Sequence, residues 1–146
     1  MKEFIKRNAL YGVFAASLMA MLGSLYFSEI ANFPPCVLCW YQRICMYPIA
    51  FISGFAIYKR SRDIVLPAFV LASIGWLIGL YHNLLYYEIL PEAAAPCIAG
   101  VSCTTKFIEW AGFITIPLLS WIGFTAILIG LIIYWKTSKE DKLTNV

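Results

Sequence analysis

Charge is scarce in this chain of 146 residues: 13% are Asp, Glu, Lys or Arg, about half of the ~25% found in an average soluble domain. Histidine occurs once. No two glycines stand two residues apart, so the G-x-G-x-x-G turn that cradles a dinucleotide pyrophosphate is missing, and with it a Rossmann flavin or nicotinamide site. A haem-attaching C-x-x-C-H is missing too, because Trp40 follows Cys39. The net charge of +3 is small, and the basic residues flank apolar runs rather than forming one face, which excludes a nucleic-acid binder. What fills the chain is apolar: 62% hydrophobic residues and a mean hydropathy of +0.78. These values exclude an ordinary soluble enzyme and a disordered segment alike.

The apolar residues fall in four long stretches, at about 9–30, 40–58, 64–87 and 111–135. Each has roughly the 17–25 residues a helix needs to cross about 30 Å of hydrocarbon. None alternates with the period of two that marks a barrel strand. Helices buried in a soluble bundle are the competing reading, but these stretches lack polar faces. The expectation is an all-α membrane protein, a four-helix transmembrane bundle forming a single integral membrane domain over residues 1–146.

Lysine and arginine orient the bundle. Lys2, Lys6, Arg7, Lys59, Arg60, Arg62, Lys136, Lys139 and Lys142 fall on one side, leaving Arg43 and Lys106 on the other. With the acids divided equally, the first side nets +5 and the second −2. The positive-inside rule then makes both termini cytoplasmic and turns the loops at about 31–39 and 88–110 outward. The basic start also suits a cleaved signal peptide, but its apolar run exceeds the usual ~7–15 residues and no A-x-A site follows, so the first stretch is expected to stay as a helix. Pro34-Pro35, Pro91 and Pro96 mark turns, while Pro48 and Pro117 are expected inside spans, as kinks. Gly75 and Gly79 form a G-x-x-x-G pair, the sign of close helix packing.

Four of the five cysteines occupy the two outward loops: Cys36 and Cys39 in the first, Cys97 and Cys103 in the second. An extracytoplasmic face permits persistent disulfides and the cytosol does not. The Cys36-Val-Leu-Cys39 run opens a helix, where free N–H groups and the helix dipole lower a cysteine pKa from about 8.5 toward 3.5–7.5. A thiolate attacks disulfides and leaves them readily, so two outward pairs suit a relay. Two other readings stay open: a static bridge closing the Cys97–Cys103 loop, and a zinc site using all four sulfurs. Cys45, inside the second stretch, reads as a small apolar packing residue.

Arg43 lies four residues beyond Cys39, on the same helical face one turn deeper. It either snorkels to headgroups or holds an anion, the Cys39 thiolate or the oxygen of an electron acceptor. His82, in the outer half of the third stretch, is either a satisfied packing residue or a functional group. Disulfide formation must send two electrons somewhere. A lipid-soluble quinone needs none of the missing motifs and reaches the outer end of the second stretch from the bilayer.

At these residues the chain resembles the DsbB family of disulfide-forming membrane oxidoreductases, and within it the short BdbC-type branch of Gram-positive bacteria. The resemblance rests on Pro-Cys36-Val-Leu-Cys39-Trp-Tyr-Gln-Arg43, on Met-Leu-Gly-Ser-Leu-Tyr-Phe-Ser-Glu29, on the Pro-Cys97 to Cys103 loop and on Gly-Phe-Ile-Thr-Ile-Pro117. It implies a bacterial cell-membrane enzyme that reoxidises an extracytoplasmic thioredoxin-fold thiol oxidase (DsbA- or BdbD-like) and passes the electrons to menaquinone or ubiquinone. It implies further that no flavin and no metal take part. It also implies that the partner attacks a Cys97–Cys103 disulfide, that Cys103 resolves onto Cys36, and that the freed Cys39 delivers electrons to quinone beside Arg43 and His82. The second loop departs from better-known members, which separate its cysteines widely where only five residues intervene here. Vitamin K epoxide reductase-like proteins share a similar bundle but place C-x-x-C after their loop cysteines, the reverse of the order here.

Metal analysis with thiol counting separates the relay from the zinc site. The relay predicts metal-free protein whose outward thiols appear only after reduction. Stoichiometric zinc with four thiols free before reduction would contradict it.

Overall fold

The computed structural model describes residues 2–59, 65–91 and 115–144, with side chains described between residues 4 and 138. Four helices follow one another: α1 (Lys2–Leu25), α2 (Val37–Lys59), α3 (Val65–Tyr86) and α4 (Ile116–Thr144). A π-helical turn, Tyr26–Ile30, continues α1. No strand occurs among the described residues. The boundaries follow the apolar stretches, with α1 beginning earlier and α4 running further than the apolar residues alone require. Pro48 lies inside α2 as expected. Pro117 does not kink a span: it is the second residue of α4, where its missing N–H would have had no helical partner anyway.

The helices close into a ring of neighbours. α1 packs on α2 and α4, and α3 packs on α2 and α4, while α2 and α4 touch only slightly across the diagonal. The centre is filled by Val13, Ile49, Phe124 and Ile127, all 0–1% exposed. Gly75 shows why small residues are needed there. A Cβ at that position would stand 2.2 Å from the buried Phe124 ring, and one at Gly79 would stand 3.3 Å from Trp121. The G-x-x-x-G pair thus seats α4 against α3, as its spacing implies.

Two interior polar side chains tie α3 to α4. Trp76 Nε1 donates to Thr125 Oγ1 at 3.0 Å, and Asn83 Nδ2 donates to the Gly79 and Pro117 carbonyls at 2.8 and 3.1 Å.

The outside of the ring is apolar. Met19, Phe51, Leu77, Ile122 and Ile129 are all exposed. Three helical segments, Phe4–Ile30, Val65–Tyr86 and Ile116–Ser138, are long and apolar enough to cross a membrane. α2 does not meet that standard, although its 23 residues would span about 34 Å. Gln42, Arg43, Tyr47 and Pro48 dilute its first half.

The ends of α1 and α3 set the mouth of the bundle. Asn32 adopts a left-handed φ of 54°, which Asn tolerates better than most residues. The Phe33 N–H closes back onto the Phe27 carbonyl at 2.9 Å. Pro34 and Pro35 then prevent the helix from continuing and lead the chain to Cys36. Glu88, at φ 57°, ends α3 in the same way.

Gly75→Ala drives a methyl group into the Phe124 ring and should destabilise the bundle by about 1–3 kcal/mol. Gly12→Ala, with nothing within 4 Å in the interior of α1, should cost nothing and stabilise by up to about 1 kcal/mol through helix propensity. Thermal unfolding of the two variants in detergent is the check, and equal melting temperatures would contradict the packing described.

Candidate active site

Cys36 stands directly before the first residue of α2 and is 6% exposed. Its sulfur takes the place usually filled by a Ser or Asp oxygen at a helix start. The Cys39 backbone N–H donates to Cys36 Sγ at 3.4 Å, and the Trp40 N–H bonds the Cys36 carbonyl at 3.1 Å. One helical turn on, Cys39 brings its own sulfur to 2.9 Å from Cys36 Sγ. Both thiols are free. From α3, His82 is buried at 2% exposure and places Nε2 3.8 Å from Cys36 Sγ.

These neighbours fix which sulfur carries the charge. The Cys39 thiol, hydrogen-bonded to Cys36, holds the Cys36 pKa down to about 4 from an ordinary 9.0. Burial opposes this, while the His82 hydrogen bond and charge, with the Cys39 backbone N–H, support it. In the dithiol state Cys36 is therefore the thiolate and Cys39 keeps the proton that stabilises it.

The two cysteines border a cavity of about 320 Å³, at the small end of the range for ligand pockets. Its walls come from all parts of the bundle: Met19 and Phe27 on the first helix, Phe33 to Pro35 on the loop, and Pro117 and Leu119 on α4. From α2 it receives Cys39, Gln42, Arg43, Met46 and Tyr47, positions at the i, i+3, i+4, i+7, i+8 spacing of one helical face. Arg43 Nη2 donates to the Ser24 carbonyl of α1 at 3.0 Å, and its guanidinium lies 5.5 Å from the Trp40 ring centre. Arg43 is thus held between two helices and lines the cavity that Cys39 also lines.

The structure therefore brings together Cys36, Cys39, Arg43 and His82, four of the six residues singled out by sequence. Cys97 and Cys103 lie outside the described residues. Cys45 packs in the core with Met46 and Ile49. Sγ of Cys36 and Cys39 and a ring nitrogen of His82 lie within 4.8 Å of one another, a set that could also hold a soft cation. Sequence reasoning missed Gln42 and Ser120. Gln42 is 6% exposed, and Ser120 Oγ donates to its Oε1 at 2.8 Å across the bundle. A buried amide in an apolar stretch is itself a signal.

Thiolate absorbance of the reduced protein should titrate with a midpoint near pH 4. Cys39→Ala removes the principal donor and should move the midpoint upward, and His82→Ala should move it upward by less. A wild-type midpoint near the ordinary thiol value would contradict the site geometry.

The family profile described as "Disulfide bond formation protein DsbB" matches residues 6–135. The chain is 47% identical over 128 residues to "Probable disulfide formation protein C 1" of Bacillus anthracis, covering 88% of this chain and 92% of that protein. It is 47% identical over 123 residues to "Disulfide bond formation protein C" of Bacillus subtilis (strain 168), covering 82% and 87%. To "Probable disulfide formation protein" of Oceanobacillus iheyensis it is 36% identical over 132 residues, covering 88% and 91%. No solved structure matches the chain significantly. A profile spanning nearly the whole bundle, with relatives this similar over most of both chains, makes the chain a member of the DsbB family.

Proposed function

We propose that this chain is a quinone-linked thiol oxidase of the bacterial cell membrane that regenerates an extracytoplasmic thioredoxin-fold oxidase and so sustains disulfide formation in secreted proteins. The observation that carries this reading is the acidic Cys36 paired with Cys39 at the edge of an apolar cavity that also receives Arg43. The names of the Bacillus relatives support it. In this reading all four helices cross the membrane as one domain, both termini are cytoplasmic, and the loops bearing Cys36, Cys39, Cys97 and Cys103 face outward. The apolar exterior supports this arrangement, and so does the charge imbalance of +5 against −2.

The residues present fit a quinone. The cavity walls are chiefly apolar, and Arg43 offers a cation to a ring oxygen within reach of the pocket that Cys39 lines. When bound, a quinone supplies a two-electron sink from the lipid phase.

Electrons enter at the second loop. A thiolate of the reduced partner attacks Cys97 of the Cys97–Cys103 disulfide, forming a mixed disulfide and freeing Cys103. The partner's second thiol displaces Cys97 and leaves as a disulfide. Cys103 attacks Cys36 of the Cys36–Cys39 disulfide and releases Cys39, and Cys97 then attacks Cys103, restoring the outer disulfide and releasing Cys36.

The low pKa makes Cys36 a good leaving group in that last exchange. With a quinone bound as acceptor of the electron pair, Cys36 and Cys39 would close their disulfide, and the Cys39 thiol would give up the proton that it holds. A second reading, a soft-metal site on Cys36, Cys39 and His82, is favoured by the closeness of their ligand atoms.

Membranes carrying the protein should reoxidise a reduced thioredoxin-fold partner only when quinone is present, and Cys36→Ser or Cys39→Ser should reduce that rate to background. Unchanged rates in both variants would overturn the mechanism. Arg43→Gln should raise the quinone KM about tenfold, the size of one charge-assisted hydrogen bond, with partner exchange unaffected. An unchanged KM would leave Arg43 as a structural tie to Ser24.

A further inference from the structure

We propose that Gln42 donates a hydrogen bond from Nε2 to a carbonyl oxygen of the electron-accepting quinone, with Ser120 holding the amide in position. This inference rests on the quinone reading above and adds a residue to it.

Gln42 is a costly residue at its position. It is 6% exposed in the interior of an apolar bundle, and only one end of its amide is engaged. Ser120 Oγ, from α4, donates to Oε1 at 2.8 Å. Nε2, on the other end, is buried and has no hydrogen-bond partner among the described residues. A buried donor left unmade is unfavourable, and an acceptor that enters beside it relieves the cost. Both Gln42 and Ser120 line the cavity that receives Cys39 and Arg43. Gln42 is three residues beyond Cys39 and adjacent to Arg43, so a single turn of α2 carries a redox sulfur, a neutral donor and a cationic donor.

That set identifies the ligand chemistry. An acyl chain or sterol ring offers no acceptor at this depth, whereas a quinone ring carries a strong acceptor at each carbonyl. The neutral amide supplies a donor without adding charge to the membrane interior. When two electrons and two protons convert the carbonyl to a hydroxyl, its oxygen becomes a poorer acceptor. The Gln42 contact is then stronger for quinone than for quinol, so it favours capture of the oxidised form and release of the reduced one. Gln42 acts as a specificity determinant for the acceptor and Ser120 as its positioning residue.

The test uses the full chain in detergent, a short-chain benzoquinone, its matching quinol and a reduced thioredoxin-fold partner. Gln42→Leu should raise the quinone KM about tenfold, equivalent to about 1.4 kcal/mol. The quinol inhibition constant should change by less than about threefold, and exchange with the partner should keep its rate. Ser120→Ala should raise the quinone KM in the same direction by a smaller factor.

A Gln42→Leu KM within about twofold of wild type would overturn the proposal. So would a parallel rise in quinone KM and quinol inhibition constant, which marks a merely structural loss. If Gln42→Leu does not accumulate, Ser120→Ala decides, and an unchanged KM there overturns it. Failure of the wild-type chain to reduce the quinone would instead bring down the quinone reading on which this one stands.

Discussion

The interaction on which the rest depends is the one between the two sulfurs at the start of α2. A thiolate next to hydrocarbon is unfavourable unless it is solvated by something fixed. Here the solvation comes from the Cys39 thiol, the Cys39 backbone N–H and His82. Each of those donors needs a particular piece of the fold. The N–H requires a helix that begins at Val37, which Pro34 and Pro35 enforce by ending the preceding segment. His82 requires α3 to lie close beside α2, and Gly75 and Gly79 in turn let α4 lie close against α3. The packing of small residues deep in the bundle and the acidity of a cysteine at its mouth are therefore parts of one arrangement.

The same logic accounts for the weakest apolar signal in the chain. α2 falls short of the apolarity that the other three helices reach. The residues that dilute it, Gln42, Arg43 and Tyr47, all line the cavity beside Cys39. Arg43 bonds the Ser24 carbonyl and Gln42 accepts from Ser120, so these two polar side chains are anchored to neighbouring helices instead of facing lipid. α2 gives up hydrophobicity along the face that meets the cavity and retains Ile44, Phe51 and Phe55 on its exposed side. An apolar pocket with anchored donors and a cysteine sulfur at one edge suits the proposed meeting of a membrane-soluble oxidant with a water-borne reductant.

Much of this was legible in the residue order. The four helices follow the apolar stretches, and the C-x-x-C spacing with Pro35 before it announced both the helix start and the sulfur pair. Arg43 was readable from its i+4 register to Cys39, because a helix repeats its face at that interval. From its own pattern His82 was visible as no more than a polar group in an apolar stretch, and the family resemblance placed it near the electron acceptor by position alone. Its contact with Cys36 spans 46 positions in sequence and depends on how α3 packs. Gln42 was harder still, since its meaning lies in a partner on α4 and an unbonded nitrogen, neither of which a local pattern contains. Pro117 misled because apolar residues flank it on both sides, hiding the fact that the helix begins at Ile116.

The central claim is that the Cys36–Cys39 dithiol hands its electron pair directly to a quinone. The most direct measurement is an anaerobic single turnover of the reduced Cys97→Ala/Cys103→Ala variant, in which the new disulfide has no outer pair to pass to, with one equivalent of a short-chain quinone and no partner present. Quinol is followed by absorbance and disulfides by peptide mapping. The account predicts one quinol formed per protein, in step with a Cys36–Cys39 disulfide. Quinone left unreduced, or quinol formed while Cys36 and Cys39 remain thiols, would contradict it.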